Sequence, residues 1–481
     1  MYNIGALNNF RPAYNPYLQK TDMAANINAP QNTNQRSTQT TPVKSFAPIN
    51  FGTAVMFGAT QLRTSLTTKE EKNQFDKVSS LVDKNERKEL NALLKTGKLL
   101  NNNSNNNATT LESLHKIATD TRITGLDKKR LLKDVINRIS NPFIITQKFG
   151  QIPVSMQNNL ILQEKNAGKN ITALDMDVKS STCPAASIEF NLAHKMPAEF
   201  ARMAEELTSE NMAITKKLDV KELSQGLVDT IWMLNEFGTE HKMDDWNTLN
   251  VTMRPDRNAI IRARIQNTIP DDNQIDQRSA IDVLMQSTLM NVGAQNTYDT
   301  LIDRRTPKYN DDDSGLIDIE KNFAEELATG KGKVCVTYQQ IDDSGKLVGY
   351  ECPQEETLSH IKSTLQKGEN VIIGYTYCDN ENNVIGGHEI TIIGIEADRQ
   401  GNMFFICNDT DDGVSEPITY PVSELLPKIH HAGIPKTVLV DNVEFVDGWK
   451  ELMQIYKDTK TQQQVQYAVQ NNPLQVLSQP V

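Results

Sequence analysis

Apolar residues first recur at helical spacing, with Phe75, Val78 and Val82 followed by Leu90, Leu93 and Leu94. Thr67-Thr-Lys-Glu70, just ahead of them, fits a capping box and predicts a helix start there. A second helix is predicted from near Leu126, with Leu131, Leu132, Val135, Ile136 and Ile139 on one side. Asn141-Pro142 stops it. Helical spacing resumes at Ile188, Leu192 and Ala193, breaks at Pro197, and continues through Phe200, Met203, Ala204 and Leu207. Mostly helical sequence is predicted from there to about residue 330, including Ile281-Asp-Val-Leu-Met285 and Phe323-Ala-Glu-Glu-Leu327.

The period then shortens to two. Val334-Cys-Val-Thr-Tyr338 alternates, Asp342-Asp-Ser-Gly345 is a turn, and Leu347-Val-Gly-Tyr350 returns, so a hairpin is predicted. A helix over about Glu355 to Lys367 comes next. Three strands follow, Val371–Tyr377, Glu389–Ile395 and Met403–Cys407, the last two joined by the turn Asp398-Arg-Gln-Gly401. A helical first half followed by an antiparallel sheet predicts the α+β class.

The flanks differ in texture. Residues 1–66 are rich in Asn, Gln, Thr and Pro and hold too little apolar surface to offset the entropy of ordering, so a disordered leader is expected. The expected units are that leader, a helical region over 67–145, a main domain over 150–445 and a Gln-rich tail over 446–481. Over the 481 residues, 50 basic and 61 acidic side chains give a net charge of −11, which argues against nucleic acid as a partner. Hydrophobic content is 38%, so a folded core is diluted by the polar flanks.

No apolar run approaches the roughly 18–20 residues of a membrane span. The N-terminus lacks the basic and apolar regions of a signal peptide. A cytoplasmic protein, or one secreted by a non-classical route, is expected. Five cysteines over so long a chain are not a disulfide framework.

Three places carry candidate chemistry. Ser180-Ser-Thr-Cys183-Pro-Ala-Ala-Ser187 runs from polar loop into a helical pattern. Cys183 is thereby placed at a helix N-terminus, where free N–H groups and the macrodipole favour a thiolate. Gly386-Gly-His388 opens a buried strand, a placement suited to a general base facing a cleft. Asn408-Asp409 ends the adjacent strand, where a side chain can bond the second nitrogen of the histidine and fix its tautomer. The other four cysteines fall in strand patterns or a loop and are expected to pack.

No cofactor is implied. The adjacent His430-His431 pair lacks a companion ligand at metal-site spacing, so no metal site is expected. Asn310-Asp-Asp-Asp-Ser-Gly315 opens like an EF-hand loop but puts Lys321 where the bidentate glutamate belongs.

The order Cys, His, then Asn or Asp resembles the papain-like cysteine peptidase clan, in particular its bacterial branch related to bacteriocin-leader peptidases. Cys183-Pro-Ala-Ala-Ser resembles that branch's Cys-Gly-Pro-Ala-Ser helix start. Leu365-Gln-Lys-Gly368 with Val371-Ile-Ile-Gly374, Gly387-His388 through Gly394-Ile-Glu, Asn408-Asp409-Thr and Tyr420-Pro-Val-Ser-Glu-Leu-Leu426 resemble the segments around its histidine and third residue. The resemblance covers roughly a fifth of the chain.

It implies a papain-like fold with an N-terminal helical lobe, an antiparallel C-terminal sheet and a large helical insertion over about 197–330. It also implies a hydrolase of peptide or isopeptide bonds acting on a protein or peptide substrate through Cys183, His388 and Asn408 or Asp409. The alternatives are transglutaminase or deamidase chemistry on the same triad, or an inactive binding protein on that fold. Two features depart from the pattern. The family often has a glutamine six residues before the cysteine, where this chain has Asp177. A carboxylate there opposes an oxyanion, which leaves Gln163, Asn170 or Ser181 as substitutes. The separation of 205 positions from Cys183 to His388 is long for the fold, hence the inferred insertion.

Overall fold

The computed structural model describes residues 62–148, 180–224, 239–269, 277–305, 315–411 and 415–439, apart from positions 246, 295, 302, 317 and 343, together with Leu162 and Leu227. Most of the expected leader, all of the expected tail and the acidic turn at 310–314 lie outside the described residues.

The helical region is built from α1 (Lys69–Leu81), α2 (Lys84–Lys95), α3 (Thr110–Thr119) and α4 (Lys128–Ser140). A capping box does open α1, but one residue later than predicted. The Thr68 hydroxyl accepts from the Glu71 N–H, and the Glu71 carboxylate accepts from the Thr68 N–H. Both spacings satisfy the motif, and Thr68 is the residue with the extended backbone that a cap requires.

The next helices are α5 (Cys183–Lys195) and α6 (Pro197–Leu207), with Met196 as the joint between them. After a three-stranded sheet come α7 (Ala259–Gln266), α8 (Ala280–Gly293), the short pair β4 (Tyr298–Asp299) and β5 (Arg304–Arg305), and α9 (Asp318–Thr329). Every residue of α8 is buried, which is why its pattern is apolar almost all round. Ser279 caps it by accepting from the N–H groups of Ile281 and Asp282. Helices α5 and α8 share one apolar cluster with α1 to α4, which includes Leu90, Leu131, Leu192, Leu289 and Phe323. Arg138 of α4 forms a bidentate ion pair with Asp282 of α8 inside it.

The three-stranded sheet corrects part of the expectation of a mostly helical insertion over about 197–330. Strands β1 (Ile214–Asp219), β2 (Thr239–Asp245) and β3 (Thr248–Met253) pair antiparallel in the order β1-β3-β2. The alternation in β1 is masked in the sequence because Lys216 occupies a buried position. Its ammonium pairs there with the buried Glu199 carboxylate at 2.8 Å.

The second half is one six-stranded antiparallel sheet, ordered β12-β11-β10-β9-β13-β6. Its strands are β6 (Lys333–Thr337), β9 (Val371–Cys378), β10 (Val384–Ala397), β11 (Met403–Asn408), β12 (Ile418–Pro421) and β13 (Ile429–Pro435). Helix α10 (Gln354–Gln366) packs on it, and the short α11 (Val422–Leu425) follows β12. The predicted hairpin is also corrected. Strand β6 pairs with β13, while β8 (Leu347–Tyr350) pairs with β7 (Gln339–Ile341). The chain leaves the large sheet at Tyr338, whose N–H still donates to the His430 carbonyl at 2.7 Å. Helices, sheets and their segregation along the chain make the class α+β, as predicted.

Candidate active site

Cys183 is the first residue of α5, as the loop-to-helix transition predicted, and Pro184 follows in the first turn. The N–H groups of that turn have no partner inside the helix, so they face whatever sits beside the sulfur. The Thr182 hydroxyl does not cap α5. It is held instead by Gln286 of α8 and by the Arg278 guanidinium. Arg278 is buried and paired bidentately with Asp303 at 2.9 and 3.0 Å. The same guanidinium nitrogen that reaches Thr182 also donates to the Ser180 hydroxyl and the Gln147 carbonyl. A buried arginine just ahead of α8 therefore clamps the segment of chain that leads into Cys183.

His388 lies inside β10 rather than at its mouth, because that strand begins at Val384. Its Nε2 is 2.7 Å from Asp409 Oδ1. The Cys183 sulfur bonds the same imidazole. The Tyr375 ring stands edge-on to His388 at 5.8 Å between centroids. Cys183 and His388 are 7% and 9% exposed, so the pair is sheltered yet reachable from solvent.

Asp409 takes two further bonds. The Tyr420 hydroxyl donates to Oδ2 at 3.0 Å, and the Asp411 N–H donates to Oδ1 at 3.0 Å. Burial acts against the charged forms of both His388 and Asp409. For His388, the bonds to Asp409 and to Cys183 outweigh that and hold the imidazole well above the usual histidine value. For Asp409, the bond and charge of His388 outweigh burial and hold its carboxyl below the usual range. Burial, then the Asp409 charge, push the Tyr420 phenol up, so it stays a donor.

Asn408 does not join this group. It is directly opposite Thr391 in the β10–β11 register, and residues so paired project from the same face. Thr391 and His388 are three residues apart on one strand and therefore project from opposite faces. Asn408 is buried on the far side, where its amide nitrogen has no protein partner among the described residues. The next residue, Asp409, leaves the strand end on the histidine side. Of the two candidates for the third position, the structure brings only Asp409 to His388.

Of the oxyanion candidates, Gln163, Asn170 and Asp177 lie outside the described residues. Ser181 is half-buried two residues before Cys183, with its carbonyl packed against Gly315. Burial pushes up the thiols of Cys335, Cys352, Cys378 and Cys407, which fits the packing role expected of them.

Sequence reasoning missed three participants. Tyr420 opens the segment Tyr420–Leu426 without a motif that marks it as a donor, and Arg278 stands in a segment with no motif. Gln147 lies 36 residues before Cys183, yet its N–H donates to the Thr410 carbonyl at 3.1 Å, next to Asp409. No local signal marks any of them, because each reaches the site through a long-range contact. No protein-family model, curated protein or solved structure matches this chain.

Proposed function

We propose that the chain is a papain-like cysteine hydrolase of peptide or isopeptide bonds. The observation that carries this is the imidazole of His388, bonded on one side to a helix-start cysteine and on the other to a buried carboxylate. Such an arrangement lets the imidazole take the thiol proton as the sulfur attacks and keeps the ring in one orientation. In the acylation step the Cys183 sulfur bonds to the substrate carbonyl carbon. The imidazolium then gives its proton to the leaving amine as the C–N bond breaks, which leaves a thioester. In the second step His388 takes a proton from water, the hydroxyl bonds to the same carbon, and the C–S bond breaks to return the thiolate.

The oxyanion formed in each step needs donors. One is the Cys183 N–H. We assign the other to the Gln147 side-chain amide, since one Arg278 nitrogen holds the Gln147 carbonyl beside Thr182 and the Thr410 hydroxyl bonds Gln147 Oε1. The amide then replaces the family glutamine whose position Asp177 occupies. Removing one such donor typically costs about 100- to 1,000-fold in rate.

The test is cleavage of a diverse peptide library by the full chain, read by mass spectrometry, with a cysteine-directed electrophile in parallel. Cleavage should vanish in Cys183→Ala, and labelling of the wild type should map to Cys183. Hydrolysis that persists in Cys183→Ala would overturn the proposal. A product one mass unit heavier with no chain break would show deamidation instead.

A further inference from the structure

A second cluster of ligating side chains lies away from Cys183, between the first turn of α9 and strand β13. In the β13–β9 pairing, Ile429 is opposite Tyr375 and His431 is opposite Gly374. Two steps on one strand match one step on the other, so His430 is the extra residue of a β-bulge. In a regular strand His430 and His431 would point to opposite faces. At the bulge they turn toward each other, with Nδ1 to Nδ1 at 3.0 Å and ring planes at 88°. Asp318, the first residue of α9, brings a carboxylate to the same point, and the ligand atoms of all three residues lie within 4.8 Å of one another.

We propose that Asp318, His430 and His431 bind one divalent transition-metal ion of the zinc class. Ligands about 2.0–2.1 Å from a tetrahedral zinc ion stand about 3.3 Å apart, close to the spacing of the two ring nitrogens. Two imidazoles and one carboxylate suit zinc, cobalt or nickel rather than calcium or magnesium, which prefer all-oxygen shells.

Two further observations point to a ligand. His431 Nε2 is 3.3 Å from Glu389 Oε1. An outer N–H given to a carboxylate fixes the tautomer that leaves Nδ1 as a lone pair facing inward, the usual outer-shell arrangement of a metal-bound histidine. The buried Glu389 Oε2 has no protein partner among the described residues, and neither have the Lys321 ammonium, the Asn322 amide and Glu325 Oε2. The last three converge on Gly433, two residues beyond His431. Such a concentration of unserved buried polar atoms marks a place where solvent or an ion belongs. The ring of His431 also needs Gly374 beneath it, since a Cβ there would stand 2.1 Å from His431 Cε1. The bulge, the glycine and the helix start together form the site, and a bound ion would fasten α9 to the sheet.

Chelator-stripped, tag-free full-length protein carrying Cys183→Ala, so that the Cys183–His388 pair cannot bind zinc, is titrated with Zn²⁺ by equilibrium dialysis. One zinc per chain is expected, with an upward shift of the melting midpoint and no comparable effect of Mg²⁺. Co²⁺ should give visible absorption bands that Asp318→Asn abolishes, a readout that a merely structural role would not produce. His430→Ala should abolish stoichiometric binding, and Glu389→Gln should weaken it by roughly 10- to 100-fold. Folding of each variant is checked by near-UV circular dichroism. Should His430→Ala fail to fold, the near-isosteric Asp318→Asn decides. Absence of stoichiometric zinc on the folded chain, or undiminished binding in Asp318→Asn, would overturn the proposal.

Discussion

Asp409→Asn removes the charge that faces His388 at 2.7 Å while keeping nearly the same shape. The carboxylate does three things at once: it bonds the imidazole, it is bonded by Tyr420, and it is bonded by the Asp411 N–H. A hydrogen bond to a charged group contributes about 1.5–3 kcal/mol. Its loss lowers the pKa of His388. Burial acts in the same direction and is then opposed by Cys183 alone.

The assay is an imidazole nitrogen NMR titration, with the His388 signal identified by its absence in His388→Gln. In the wild type the ring should titrate well above the ordinary histidine value. In Asp409→Asn it should titrate lower, and the alkaline limb of kcat/KM for any substrate should move down with it. Stability follows with a definite sign. The depressed Asp409 stabilises the fold above its unfolded value, and this is lost as pH falls. The raised His388 stabilises it below its unfolded value, and this is lost as pH rises through its folded value. The variant loses both contributions, so its melting midpoint should fall most between those two limits and least at the acid and alkaline ends. Asn408→Ala should leave the His388 titration in place. If Asn408→Ala moves it and Asp409→Asn does not, the assignment from strand register is wrong.

Two further outcomes test the fold. Leu289 is fully buried in α8 within the cluster shared with α5 and the N-terminal helices. Leu289→Ala should cost about 2–5 kcal/mol in chemical denaturation, and a loss under about 1 kcal/mol would show that α8 is peripheral. His194, pushed down to about 3 by burial and by the nearby Lys195 and Lys98, accepts from the Asn370 amide and is neutral in the folded state. The unfolded chain binds that proton first, so stability falls by up to about 1.4 kcal/mol per pH unit as pH drops below about 6.5. His194→Gln should reduce that slope by about one proton. An unchanged acid slope would refute the account of His194.

Much of the site was legible because its signals are local. A polar loop running into an apolar helical pattern, with proline after the cysteine, fixes Cys183 at the head of α5. Gly-Gly-His before an apolar run places His388 on a central strand. Other signals failed for identifiable reasons. Lys216 hid a strand because its charge is neutralised by Glu199, a partner on a helix that the spacing of one segment cannot reveal. The His430-His431 pair looked unaccompanied because Asp318 stands 112 residues earlier in the chain.

The sequence by itself determined the helices on either side of Cys183, the strands β9 to β11, the α+β class, and which cysteine has a histidine strand to serve it. These depend on periodicity, capping and turn chemistry, all of which act over a few residues. Only the tertiary structure decided between Asn408 and Asp409, brought Arg278 to the segment before the cysteine and Gln147 to Thr410, and turned two adjacent histidines toward one carboxylate. Each of those depends on strand register, a bulge or a contact between distant segments. A single step of register exchanges the two faces of a strand, and nothing in either strand alone fixes that step.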